Sequence, residues 1–275
     1  MSYSPVTWTY KDALTSQKLQ QGVDNAVWTS QHNIQGFELV YADANHLHVN
    51  PGVLEIGGVW ISKTAITEIT KATDAEWWDG VEDMYGTDGW CYIGVNISGE
   101  IRFLGDNPPN KADTNGNTDG VQRYWFDGAA YWRVIGAVYI EADDETIKYK
   151  WFQQGNLIMW DVPIIVSATP SATAWSGALS CAVAIPSIST LGIFGLAAID
   201  TAGATCGIAI RPFNGSANTP TFSDGAGGSQ NEINVSARSG GHLCFTDSSQ
   251  QIKQYSESVD TGCEITVEGY YLNIR

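Results

Sequence analysis

Acidic side chains crowd around tryptophans near residue 80, where Glu76-Trp77-Trp78-Asp79-Gly80 is followed by Glu82, Asp83, Asp88 and Trp90. Glycoside hydrolysis needs two carboxylates held at a set distance, one as acid and one as nucleophile or base. Aromatic faces beside such a pair can stack on pyranose rings. Asp79 and Asp83 are therefore the acidic pair a polysaccharide depolymerase would use here. A solvated acidic loop anchored by buried tryptophans has the same composition, and both readings stand at this level.

Two other clusters offer metal ligands. Asp113, Asn115, Asn117 and Asp119 place oxygens at alternate positions, as the first half of a calcium loop does. The pattern departs from an EF-hand at Thr118, where glycine is needed, and at Tyr124, where a bidentate Glu is needed. An Asn/Gly/Asp surface loop accounts for it equally. His46 and His48 fall on one face of a predicted strand, because side chains alternate with period two. They read as polar surface, or as a site for an octahedral ion such as Fe²⁺ if three copies met around an axis. The expected cofactor is none, with Ca²⁺ and Fe²⁺ as the ions for which ligands exist.

Other chemistry finds no footing. There is no Gly-x-Ser-x-Gly elbow and no glycine-rich phosphate loop, so the chain is expected not to be an enzyme. A net charge of −16 argues against nucleic acid, whose phosphates need Lys and Arg, and against an anionic membrane surface. No run approaches the ~20 apolar residues of a membrane span. The start, Met1-Ser2-Tyr3-Ser4-Pro5, lacks a basic and then apolar leader, which predicts synthesis in the cytoplasm. Cys91, Cys181, Cys206, Cys244 and Cys263 contain no CxxC pair and are expected to be buried free thiols.

The elements that would position these groups divide by composition. All eleven tryptophans lie between Trp8 and Trp175, and four of the five cysteines follow residue 167. The break, together with helical spacing near the start, predicts three segments: an attachment segment over 1–34, a Trp-rich β domain over 35–166, and a C-terminal domain over 167–275. In the first, Leu19, Val23, Ala26 and Val27 recur at helical spacing to make one apolar face. Such a helix docks either on a partner or back on its own domain. In the second, short strands are expected at 37–41, 46–49, 53–56 and 59–61. Ile97-Ser98-Gly99 forms a hairpin loop between two more. A single strand is expected over 146–152, with Ile147, Tyr149 and Trp151 facing one way and Lys148 and Lys150 the other.

In the third segment, short strands at regular spacing argue an antiparallel, jelly-roll-like β-sandwich. The expected fold class is thus all-β with a short N-terminal helix. The turns between these strands are the places where recognition would sit. They carry Asn214 and Ser216, Asp224, and Arg238 and His242 within Arg238-Ser239-Gly240-Gly241-His242. Small polar residues and glycines admit a glycan closely, and ordinary hairpin turns use the same residues.

The opening Thr7-Trp8-Thr9-Tyr10-Lys11-Asp12-Ala13-Leu14-Thr15-Ser16, continued to Asp24-Asn25-Ala26, resembles the start of virion-attached tail and fibre proteins of tailed bacteriophages. Gln20 stands where that family usually has Asn. The closing Ile265-Thr266-Val267-Glu268-Gly269-Tyr270-Tyr271, with Ile208-Ala209-Ile210-Arg211-Pro212-Phe213-Asn214, is similar to the final β-sandwich of phage fibre tips. Ile93-Gly94-Val95-Asn96 and Tyr131-Trp132-Arg133-Val134 are similar to such proteins as well. The resemblance implies a virion structural protein, made in the host cytoplasm and localised in the virion. Its N-terminal part would dock on other virion proteins, its copies would form a homotrimer, and its distal sandwich would meet a host-surface glycan or protein. A head fibre or capsid decoration protein would share the attachment helix.

Overall fold

The computed structural model describes residues 34–56, 59–71, 76–77, 88–106, 124–126, 131–142, 146–168, 175–199, 208–214, 231–233, 237–256 and 262–272. Among them the architecture is all-β, as the short alternating runs predict. The helix carrying Leu19, Val23, Ala26 and Val27 lies outside the described residues.

Six short strands come first: β1 (Gln35–Gly36), β2 (Leu39–Tyr41), β3 (His46–Val49), β4 (Gly52–Ile56), β5 (Val59–Lys63) and β6 (Thr67–Thr70). They sort into two three-stranded sheets, β1-β4-β5 and β2-β3-β6. Alternation sets their faces: Leu47 and Val49 of β3 are buried while His46 and His48 are half-exposed. Next come β7 (Gly89–Asn96), β8 (Ile101–Phe103), β9 (Tyr124–Phe126), β10 (Tyr131–Glu141) and β11 (Thr146–Ile147), in the order β11-β10-β7-β8 with β9 on β10. The expected hairpin joins β7 to β8. Asn96 Oδ1 accepts the Ser98 and Glu100 amides, and Gly99 takes the left-handed φ of +77°.

The remainder is β12 (Trp151–Gln154), β13 (Leu157–Ser167), β14 (Leu179–Ser180), β15 (Leu191–Ile199), β16 (Ile208–Pro212), β17 (Asn231–Ile233), β18 (Ala237–Phe245), β19 (Gln251–Ser256) and β20 (Gly262–Tyr271). It forms a five-stranded sheet, β12-β13-β20-β15-β18, and a four-stranded sheet, β14-β19-β16-β17. Phe194, Leu196, Ile265 and Val267 of the first share one core with Ile208, Ile210 and Ile252 of the second.

Two sequence expectations give way here. The strand expected over 146–152 is broken. Residues 146–147 pair with β10, whereas Trp151 opens a different sheet. The alternating burial survives because it is set by the core on one side, with Ile147 and Trp151 buried and Lys148 and Lys150 exposed.

The composition break at 167 also does not separate sheets. β12 and β13 precede it, yet β13 pairs with β20. Trp90, Trp151 and Trp160 gather along a seam within one core. Trp90 contacts Trp160 and Tyr270, with ring centroids 6.1 and 6.0 Å away, and its Nε1 donates to the Ala182 carbonyl. Tyr92 and Ser187 share a hydroxyl–hydroxyl hydrogen bond of 2.7 Å across the same seam, and Trp151 Nε1 donates to the Leu39 carbonyl at 3.0 Å.

Candidate functional site

The five-stranded sheet carries bulges on three of its strands, close to one level. On β20, Gly269 opposes Ile193 and Val267 opposes Phe194, so Glu268 is an extra residue between them. On β13, residues 160–163 bulge out opposite that same Glu268. On β18, Gly240 and Gly241 together oppose the single residue Gly195 of β15. Bulges bend a strand and re-aim its side chains, and they recur beside functional sites. Aligned as they are, these make a groove of about 490 Å³ on the outer face of the sheet.

The groove has one apolar wall and one acidic floor. Val162 and Ile165 of β13 form the wall and are 73% and 54% exposed. Glu264, Thr266 and Glu268 line the floor, since alternation turns them outward while Ile265 and Val267 are buried. Glu268 leans across β15 to β18, where its Oε2 accepts the Gly241 amide at 2.8 Å. A side chain at Gly240 or Gly195 would meet the Glu268 carboxylate, so both glycines keep the space it occupies. Gly241 adopts φ +78°, which favours glycine. Thr266 Oγ1 donates to the Gly195 carbonyl at 3.4 Å. Carboxylates aimed into a concave, partly apolar surface can accept hydrogen bonds from hydroxyls and attract ammonium groups.

Two residues expected at a recognition loop do not line this groove but lie on a strand that borders it. Arg238 and His242 lie on β18 itself, because Gly240-Gly241 makes a bulge there instead of a turn. The backbone of Arg238 opposes Ala197, which opposes Glu264. His242 is half-buried, and loss of solvent lowers its pKa below the ordinary imidazole value while nearby Glu268 opposes that shift. Asn214 is exposed in the turn after β16. Ser216 and Asp224 lie outside the described residues. Sequence reasoning missed Glu264, Thr266 and Glu268, although three polar residues at alternate positions of a closing strand mark one outward face.

The tryptophan–carboxylate cluster does not form a stacking platform at Trp77. That ring is fully buried against Phe103, with centroids 5.2 Å apart, and its Nε1 donates to the Lys71 carbonyl at 3.0 Å. It is an anchor. Asp88 accepts the Ala142 amide, while Trp78, Asp79, Glu82 and Asp83 lie outside the described residues.

His46 and His48 share a face of β3, each held by its own carboxylate. Asp43 Oδ1 lies 2.7 Å from His46 Nδ1, and Glu68 Oε2 lies 2.8 Å from His48 Nε2. The Asn45 amide, and then the His46 ring, hold the Asp43 carboxyl below its ordinary pKa. Among the described residues, no three His, Cys, Asp or Glu side chains come together as metal ligands. Asp113, Asn115, Asn117 and Asp119 lie outside them. Cys91, Cys181 and Cys244 are buried free thiols, as expected. No protein-family model, curated protein or solved structure matches this chain.

Proposed function

We propose that this chain is a bacteriophage virion structural protein of tail-fibre or spike type, which attaches the particle to a glycan on the host surface. It assembles with other virion proteins and with its own copies, and its jelly-roll-like C-terminal sandwich carries the receptor site. The observation that supports this most directly is the groove at the aligned bulges. It is open to solvent, and it combines hydroxyl-accepting carboxylates with an apolar wall. The sequence resemblance supplies the setting.

Binding is favoured over hydrolysis by the hold on Glu268, whose Oε2 accepts the Gly241 amide and so is directed across β15 to β18 and not along β20 toward Glu264. A glycosidase instead aims two carboxyl groups at one bond between them.

The test uses the full chain as a soluble competitor of phage adsorption to host cells. Wild type is expected to compete, and Glu264→Gln with Glu268→Gln to lose competition while keeping its circular dichroism spectrum. An unimpaired double variant removes the groove from recognition, and release of reducing sugar from host polysaccharide by wild type would show a depolymerase. The docking half is tested by Leu19→Asp with Val23→Asp, which is expected to abolish incorporation into particles.

A further inference from the structure

Next to the groove, the outer face of the five-stranded sheet has the wrong polarity for a surface bathed in water. Directly opposed residues run across all five strands as Leu243–Ile193–Gly269–Met159–Phe152, then as Phe245–Leu191–Tyr271–Leu157–Gln154. The row between them, Cys244–Gly192–Tyr270–Ile158, is buried in the core, so these two rows face outward. Phe152 is 60% exposed, Phe245 59% and Leu243 52%. An antiparallel sheet with one wet face alternates apolar with polar residues, whereas strands covered on both faces run apolar throughout. Leu157-Ile158-Met159-Trp160, Leu243-Cys244-Phe245 and Tyr270-Tyr271-Leu272 are of the second kind.

We propose that this band is the interface with a second copy of the chain. The proposal deepens the reading that copies assemble, by naming the surface. The ten residues of the two rows carry no charge on a chain whose net charge is −16, so here two copies meet without opposing carboxylates. A partner of opposite charge would instead call for an acidic face, which begins only at Glu268. With strands ~4.8 Å apart and ~3.3 Å per residue, the two uncharged rows cover on the order of 250 Å². That is about a third of the ~800 Å² each partner gives to a standard interface, the share of an apolar centre within a more polar rim. The first row is high at both ends and low at its centre, Gly269. A two-fold axis parallel to the strands sets Phe152 of one copy against Leu243 of the other at both ends, an isologous contact that closes at two copies and so pairs chains in place of the trimer the resemblance implies.

Light scattering on the full chain through a dilution series tests this. Wild type is expected to be oligomeric, and Phe152→Asp with Phe245→Asp to have the mass of a monomer with an unchanged circular dichroism spectrum. If the double variant misfolds, Leu243→Ser alone is expected to shift the association midpoint to higher concentration. Phe152→Cys with Leu243→Cys is expected to give an oxidised covalent dimer. Within one chain these positions stand four strands apart, about 19 Å, too far for a disulfide. A monomeric wild type overturns the interface, as do folded variants that keep the wild-type mass or an oligomer that forms no cross-link. Loss of glycan binding in the Glu264/Glu268 variants is a separate readout, so the interface and the receptor groove can fail independently.

Discussion

Glu268 Oε2 accepts the amide of Gly241 at 2.8 Å, reaching from β20 across β15 to do so. The carboxylate passes over Gly195 and beside Gly240, which therefore carry no side chain for a reason outside their own strands. What a Cβ at Gly240 would strike is the far end of a flexible side chain. Gly240→Ala is expected to swing Glu268 away and lose this hydrogen bond, at a cost of about 1 kcal/mol or less in so open a setting. Glu268→Ala should remove the conflict. Urea denaturation of both single variants and the double variant should show a coupling energy, and strictly additive losses would count against the contact.

Gly269 is the opposite case. A Cβ there would run into the backbone carbonyl of Ile158 and crowd Met159, on the paired strand β13. No rotamer relieves a clash with a hydrogen-bonded strand. Gly269→Ala is expected to destabilise by roughly 1–3 kcal/mol or more, well beyond Gly240→Ala. Equal denaturation midpoints for the two variants would contradict this register.

The difference between these glycines was not legible in the sequence. Gly240-Gly241 reads locally as a turn, because nothing nearby announces that Glu268 will fill the space beside it. The hairpin at 97–99 was legible, since Asn96 and Gly99 satisfy its geometry by themselves. The alternation of β3 was legible too, because burial on one side fixes the period. Partner choice is non-local. Ile147 and Trp151 continue one alternation but join different sheets, and the division expected at 167 fell inside a sheet closed by β13 and β20. Trp90, Trp151 and Trp160 of the tryptophan-rich stretch pack into a core that residues after 167 share.

That seam makes a prediction about cleavage. A protease cut within residues 169–173 is expected to leave the two fragments associated under native conditions, because β13 before the cut pairs with β20 after it. Denaturing gels should show two bands that co-elute on size exclusion. Trp90→Phe, which removes the donor to the Ala182 carbonyl, should weaken this association and cost roughly 1–3 kcal/mol. Separation of the nicked wild-type fragments would restore a boundary at 167.

Burial pushes the thiols of Cys181 and Cys244 up to about 12. At pH 8 the thiolate, which is the reactive form, is then about one part in 10⁴ at each. Iodoacetamide on native protein is expected to leave both peptides unmodified by mass spectrometry, and to label both once the chain is unfolded. Rapid native labelling of either would show that the core beneath β18 opens readily.

His242 predicts how the groove's edge responds to acid. Desolvation is the main cause lowering its pKa in the fold, with Glu268 partly opposing it. The unfolded chain, with an ordinary imidazole near 6.5, therefore takes up its proton at higher pH than the folded chain does. Stability from this residue is fully present above about pH 6.5 and declines as pH falls through that value toward the lowered folded pKa. Below the folded pKa the penalty is constant. The carboxylates also titrate at still lower pH, so the signature is confined to the window just beneath 6.5. His242→Gln is expected to flatten the urea midpoint across that window and to leave the midpoint's pH dependence below it unchanged. A wild-type midpoint that rises on acidification from pH 7 to 6 would mean that Glu268 outweighs burial and that His242 is charged in the fold.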